Sequence, residues 1–196
     1  MKNEIKWLID PSCSEIAFKV KHRMILNVRG HFGKFDADIR TSDMSFMNTS
    51  IDFWIDSDSI NTNNVERDEH LKKPDFFDVK NHKEITFSSD TILKADMDGK
   101  QEMWGKLSIK GITKVIELNV VFGGITQNSD GNERADFKII GQINRKDWEL
   151  NWNNALQSGG EMIGEIVEIV CEIHLIKSTN QDAIMILETS GDKKGN

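Results

Sequence analysis

Residues 116–122 read Ile116-Glu117-Leu118-Asn119-Val120-Val121-Phe122, with an apolar side chain at every second position. Strict alternation indicates a β-strand with one face toward a dry core and the other toward water. The same period of two recurs along the chain, in segments within 15–21, 51–56, 85–93, 106–110 and 135–143, and less cleanly within 163–176. The pattern predicts an all-β protein.

The alternation changes phase once, at Gly33. Val28 and Phe32 lie on one parity, whereas Phe35 and Ile39 lie on the other. A slip of one residue would turn the second apolar set outward. We therefore predict a β-bulge at Gly33 that restores the inward face and bends the strand.

About eight such strands must bury their apolar faces, and helices are too few to cover them. The only good helical candidate is residues 63–71, with Asp75-Phe76-Phe77 beyond it. A sandwich or a closed barrel remains. A barrel of about eight strands is filled by side chains or holds one small ligand. Periodicity leaves both readings open, because the small inward residues fit tapered packing as well as a tunnel; they are Gly30, Ala37, Ser89, Ala135 and Gly141.

The charge balance excludes some partners. The 196 residues include 25 basic and 32 acidic side chains, for a formal net charge of −7. Nucleic-acid-binding domains usually carry a basic stripe, so we expect no nucleic-acid partner. No window approaches the roughly 18 apolar residues of a spanning helix. Charged residues at positions 2, 4 and 6 replace the apolar stretch of a signal peptide, so we expect a cytoplasmic protein, or a periplasmic one if a leader was removed.

Candidate catalytic and metal-binding side chains are few. Arg67-Asp68-Glu69-His70 contains an acid and a base, but capping and anchoring of the short helix explain Arg67 and Asp68 better. The chain has no Gly-x-Ser-x-Gly elbow, and its five histidines lack metal-site spacing. Cys13 and Cys171 are predicted to be packed thiols. We expect no catalytic residue, no metal site and no cofactor.

Several segments, in order and spacing, resemble the YceI-like polyisoprenoid-binding family. They are Val20–His22, Gly30–Ala37, Ser59–Thr62, Arg67–Lys72, Asp75–Asp78, Ile85–Ser89, Gly105–Lys114 and Gly141–Trp148. The resemblance runs from about Trp7 to Leu175. It implies an extended, eight-stranded antiparallel, lipocalin-like barrel over residues 1–177, with a short helical segment and a long apolar pore for an isoprenoid or similar lipid. It also implies a homodimer, for which Trp54 or the tail would supply the contacts.

Two features depart from the family pattern or extend beyond it. Glu149 follows Trp148 where the family often has glycine, so we expect the turn at this position to differ from that of the family. Residues 178–196 form a predicted C-terminal tail. Its apolar island at 183–187 either packs on a groove or a partner or belongs to a frayed end.

The resemblance also implies which residues bind the lipid. An isoprenoid offers only methyl and methylene surface, so its site needs apolar walls. The predicted ligand-binding residues are the inward apolar residues of the strands and the two phenylalanines after the helix: Ile16, Phe18, Val20, Phe32, Phe35, Ile51, Phe53, Ile55, Phe76, Phe77, Phe87, Leu107, Ile109, Leu118, Val120, Phe122, Phe137, Ile139, Ile143 and Ile169. Residues 63–78 are expected to lie at the pocket.

The predicted function is to bind and to sequester or carry a long-chain lipid without catalysis. One alternative is an enzyme that acts on a lipid in the same cavity, with Asp68 or His70 as acid or base. Another is a stress-response or interaction module whose barrel is filled by side chains. Residues 63–78 carry five acidic against three basic residues, which favours a neutral head group, such as a quinone or an amide, over a diphosphate.

Overall fold

The computed structural model describes residues 4–22, 26–47, 49–92, 100–127, 131–151 and 163–178. In these ranges, one helix, α1 (Val65–Leu71), and two short 3-10 turns, Ser57–Ser59 and Arg145–Trp148, accompany the strands. The strands are β1 (Ile5–Ile9), β2 (Glu15–His22), β3 (Leu26–Phe32), β4 (Phe35–Thr41), β5 (Thr49–Asp56), β6 (Ile60–Asn61), β7 (Glu84–Ile92), β8 (Lys100–Ile109), β9 (Ile112–Gln127), β10 (Glu133–Asn144) and β11 (Ile163–Lys177). Within the described ranges, no helix has the length and hydropathy needed to cross a membrane.

The sheet closes on itself. The antiparallel order is β1-β4-β5-β7-β8-β9-β10-β11, and β11 pairs back with β1. Three strands of the barrel are each interrupted once: β1 continues in β2, β4 is the continuation of β3, and β5 continues in β6. The segments β2, β3 and β6 lie toward one end of the barrel, where β2 pairs with β11 and β3, and β3 pairs with β6. With each interrupted strand counted once, the molecule is an eight-stranded antiparallel barrel. The predicted fold class and the predicted helix are confirmed.

The phase change at Gly33 is a strand interruption rather than a bulge within a paired strand. β3 ends at Phe32, β4 begins at Phe35, and the strand neighbours switch from β2 and β6 to β1 and β5. The Gly33 N–H donates to the carbonyl of Ser59 at 3.1 Å, and the Lys34 N–H donates to Ser59 Oγ at 3.1 Å. These two residues leave the ladder to bind Ser59, so the inward parity shifts as predicted.

Small inward residues make room for large neighbours across the strands. A Cβ at Gly30 would lie 2.4 Å from Phe18 Cζ, and one at Gly141 would lie 2.4 Å from Leu118 Cδ2. No side chain fits at such distances without a shift of its neighbour. At these two positions, the small residues therefore serve packing, which was one of the two readings that periodicity left open.

Other expectations are corrected or fall outside the described residues. Cys171 is buried as predicted, but Cys13 is exposed, because it lies in the turn between β1 and β2; both thiols are free. Glu149 adopts φ 55°, a left-handed conformation that favours glycine, and its N–H donates to the carbonyl of Lys146 at 3.0 Å. The predicted apolar island at 183–187 lies outside the described residues.

Candidate functional site

The barrel encloses a cavity of about 650 Å³ whose wall receives residues from all eleven strands and from α1. This volume is in the range of small-molecule sites. The wall is mostly aliphatic and aromatic, because the inward face of each strand is apolar. The barrel is therefore not filled by its own side chains.

The structure brings nearly all the predicted ligand-binding residues together. Every one of them except Phe35 and Phe122 lies on the cavity wall. Phe35 instead stacks on Phe53, with ring centroids 6.1 Å apart, and Phe122 stacks on Phe137 at 5.1 Å. For all the predicted residues, contact with a ligand stays a prediction.

Phe46, in the connection between β4 and β5, lines one end of the cavity. Its ring is 4% exposed, and its centroid lies 4.9 Å from that of Trp7 and 4.9 Å from that of Phe137. Thr49 Oγ1 donates to the Phe46 carbonyl at 2.6 Å. Sequence reasoning missed this residue, because it lies outside any alternating segment.

Polar side chains concentrate at the opposite end, where α1 lies. The side chains that line the cavity there are Thr62, Asn64, Glu66, Arg67 and His70. Asn64 is the N-cap of α1, and its side chain accepts the Arg67 N–H at 2.9 Å. The expected position of residues 63–78 beside the pocket agrees with this arrangement, although the cap is Asn64 rather than Arg67 or Asp68.

Arg67 and Asp68 anchor the helix to the barrel through Thr62. Asp68 Oδ1 accepts from the Thr62 N–H at 2.9 Å and from the Thr62 hydroxyl at 2.5 Å. Arg67 Nε donates to Thr62 Oγ1 at 2.7 Å, and Nη2 donates to the Thr62 carbonyl at 2.8 Å. Thr62 is only 4% exposed, so these bonds satisfy polar groups that water does not reach.

His70 and Asp68 do not form an acid–base pair. The ring nitrogen Nε2 of His70 lies 3.4 Å from Asp75 Oδ2, whereas the Asp68 carboxylate is bound to Thr62. Residues two apart on a helix point in different directions, which explains the separation. The two side chains therefore do not contact each other as an acid and a base would in the enzyme alternative.

Arg145 is a buried cation on the cavity wall. Its side chain is held by backbone carbonyls: Nε donates to Gly164 at 3.0 Å, Nη2 donates to Ile163 at 3.3 Å, and Nη1 donates to Leu150. The residue is 1% exposed. These bonds tie the turn after β10 to the start of β11, so the guanidinium acts as a structural clamp at this end of the barrel.

Two further wall residues, Gln101 and Cys171, are polar or ionisable. Gln101 is 7% exposed, and its Nε2 donates to Met47 Sδ at 3.5 Å. Burial raises the pKa of the Cys171 thiol to about 12. In the part of the chain that the structure describes, no group of three or more His, Cys, Asp or Glu side chains could hold a metal ion.

Comparison with known proteins agrees with this architecture. The family model described as "YceI-like domain" matches residues 7–175. Among curated relatives, the UPF0312 protein SA2479 of Staphylococcus aureus (strain N315) is 34% identical over 160 residues, which is 81% of this chain and 90% of the relative.

Solved structures show the same barrel. The Campylobacter jejuni YCEI protein is 30% identical and superposes with a TM-score of 0.70, covering 81% of this chain and 90% of that one. A polyisoprenoid-binding domain from Saccharophagus degradans has a TM-score of 0.62 at 15% identity, covering 88% and 98% of the two chains. The second likeness extends to the fold alone.

Proposed function

Because this chain belongs to the family of YceI-like domains, we propose that it binds a long-chain isoprenoid or a similar lipid inside the barrel and sequesters or carries it. The observation that carries the proposal is the cavity of about 650 Å³, whose wall is built from the inward apolar residues of every strand. A hydrocarbon chain fits such a wall, because it offers no group that needs a hydrogen bond. The Saccharophagus degradans barrel is described as binding ligands of this class.

The free energy of binding comes from the tail. Each CH₂ group removed from water contributes about 0.8 kcal/mol, against which the ordering of the chain must be set. Phe76 and Phe77 line the cavity beside α1, with ring centroids 5.0 Å apart. This segment is the element that would cover the lipid after it enters.

The head group is proposed to be neutral. A diphosphate would need several convergent cationic donors to offset its desolvation. Two guanidinium nitrogens of Arg67 already donate to Thr62, and Lys72 Nζ lies 3.2 Å from both Asp58 and Glu69. Arg145 is held by backbone carbonyls. These contacts occupy Arg67, Lys72 and Arg145, which supports a quinone-like or amide-like head.

The protein is proposed to be a binding protein rather than an enzyme. The support is the separation of His70 from Asp68 and the apolar character of the wall. Turnover of a prenyl lipid that His70→Ala abolishes without loss of binding would instead show catalysis. A homodimer that uses outer side chains such as Trp54 is the proposed assembly, to be checked by light scattering after size exclusion.

The identity of the co-purifying lipid tests the proposed function directly. Native mass spectrometry of the purified chain should show a mass increment, and organic extraction should recover a long-chain lipid that accounts for it. Addition of a long prenyl alcohol to delipidated protein should restore one bound molecule per barrel. An apo protein that takes up no long-chain lipid would overturn the proposal.

A further inference from the structure

Gln101 lies at the end of the cavity opposite α1. It is the second residue of β8, and antiparallel pairing with β7 places the start of β8 at the end where β4 joins β5. Its contact with Met47 in that connection agrees with this position. The rest of β8, from Gln101 to Ile109, spans roughly 27 Å of strand toward α1.

The side chain of Gln101 is an amide inside an apolar wall. Along β8, Gln101 and Met103 are buried, whereas Glu102 and Trp104 are exposed, so the amide shares the inward face. Its Nε2 donates to Met47 Sδ at 3.5 Å, and thioether sulfur is a weak acceptor. Within the described ranges, its Oε1 accepts no hydrogen bond.

Within the described ranges, the protein itself satisfies this amide poorly, since Nε2 has only a weak acceptor in Met47 Sδ. Removal of an amide from water without a full set of partners is unfavourable. Leucine or methionine would fill the same inward position without that penalty. The amide therefore has the properties of a group whose partner is a ligand in the cavity.

We propose that Gln101 is a hydrogen-bonding site for an uncharged polar group of the lipid at the far end of the cavity, such as a primary amide, a hydroxyl or a carbonyl. This inference rests on the proposed function. A glutamine amide offers two donors and an acceptor, which complement those groups. The nearby wall residues Phe46, Thr49 and Val120 carry no charge, so an ionic group would be buried without a counter-charge.

Two sources could supply the polar group. It is either the head group itself, which then enters first, or a substituent at the far end of a tail whose head lies near α1. Both present the same chemistry to Gln101. A chain with one amide and a chain with an amide at both ends distinguish them, because only the second can bind at both ends at once.

The experiment measures displacement of N-phenylnaphthylamine from the full chain by octadecane, octadecanamide and octadecanediamide. It compares the native protein with Gln101→Leu and with Glu102→Leu, which changes the exposed neighbour on the outer face of β8 and keeps the amide. For the native protein and Glu102→Leu, we expect at least one amide to bind about tenfold more tightly than octadecane. That preference should disappear in Gln101→Leu. If Gln101→Leu does not fold, Gln101→Met replaces it.

The pattern of loss assigns the source. If Gln101→Leu removes the preference for octadecanamide over octadecane, the head group reaches Gln101. If it removes the preference for the diamide alone, a substituent at the far end of the tail reaches Gln101. An unchanged preference in Gln101→Leu, or an equal weakening of all three chains, overturns the inference and leaves the proposed function standing. Failure of all three chains to displace the dye from the native protein overturns both.

Discussion

Phe18 packs the barrel and lines its cavity at the same time. Its ring lies over Gly30 and 5.7 Å from the ring of Phe32, centroid to centroid. Phe18→Trp should reduce the cavity volume and weaken binding of a long prenyl alcohol, because the larger indole extends into space meant for the ligand. The free energy of unfolding of the apo protein should fall by less than about 3 kcal/mol. Calorimetric titration and urea unfolding check the two effects.

The matched control for this change is Ile140→Trp, since Ile140 is 40% exposed on the outer face of β10. It should leave both affinity and stability nearly unchanged. A larger loss of stability in Phe18→Trp would mean that the side chains around this position are packed as in a solid core.

The two cysteines should differ sharply in reactivity. Only the thiolate reacts with iodoacetamide, and burial raises the pKa of Cys171 to about 12, whereas Cys13 is exposed. At pH 8, native protein should therefore take up one alkyl group, at Cys13, and a second only in denaturant. Mass spectrometry of the alkylated protein counts them. Modification of Cys171 in native protein as fast as that of Cys13 would contradict the placement of this thiol.

The same shift has a consequence for stability. The folded state holds the Cys171 proton at pH values where the unfolded chain has lost it. This thiol therefore lowers the free energy of unfolding as the pH rises from about 9 toward about 12. Cys171→Ser keeps a small side chain there, removes this ionisation and should flatten that part of the pH dependence.

At the scale of elements, α1 is a short helix that is attached by polar contacts as well as by Leu71, which packs against the core. None of its residues is fully buried, and Asp68 bonds to Thr62 supply the link to β6. Asp68→Ala should cost about 1–3 kcal/mol of unfolding free energy or release the helix locally, because it leaves the Thr62 donors without their acceptor. Hydrogen exchange of the amides in Val65–Leu71 should accelerate.

Glu69→Ala on the same helix is the control. Glu69 pairs with Lys72 at the surface, where such pairs contribute little. Exchange should stay near the native rate in this variant. Equal rates in the two variants would show that the Asp68 anchor does not hold the helix.

At the scale of the whole molecule, the net charge of −7 acts on any charged ligand. A long prenyl alcohol should displace a neutral dye better than the corresponding diphosphate at low salt, and the gap should narrow as salt screens the repulsion. Competition binding at two ionic strengths measures this. A diphosphate that binds more tightly at low salt and loses its advantage at high salt would show a basic entrance.

The sequence by itself determined the strands, the helix and most of the cavity wall. Each depends on local rules: period two assigns an inward face, the phase change marks the shift of inward parity at Gly33, and the residues around Asn64 start a helix. That the strand is interrupted at Gly33 rather than bulged was decided by the tertiary structure. These rules hold wherever the apolar side faces a core. They place Ile16 or Leu118 on the inner face without reference to the rest of the chain.

Only the tertiary structure decided what that inner face encloses. Whether Gly30 leaves a gap or receives the ring of Phe18 depends on the register of β2 against β3, which alternation does not reveal. Phe46 lines the cavity from a connection that has no alternating pattern, and Gln101 is a polar residue at an inward position. The cavity is the space inside the closed barrel that the side chains of the strands do not fill. It therefore exists only once the barrel has closed.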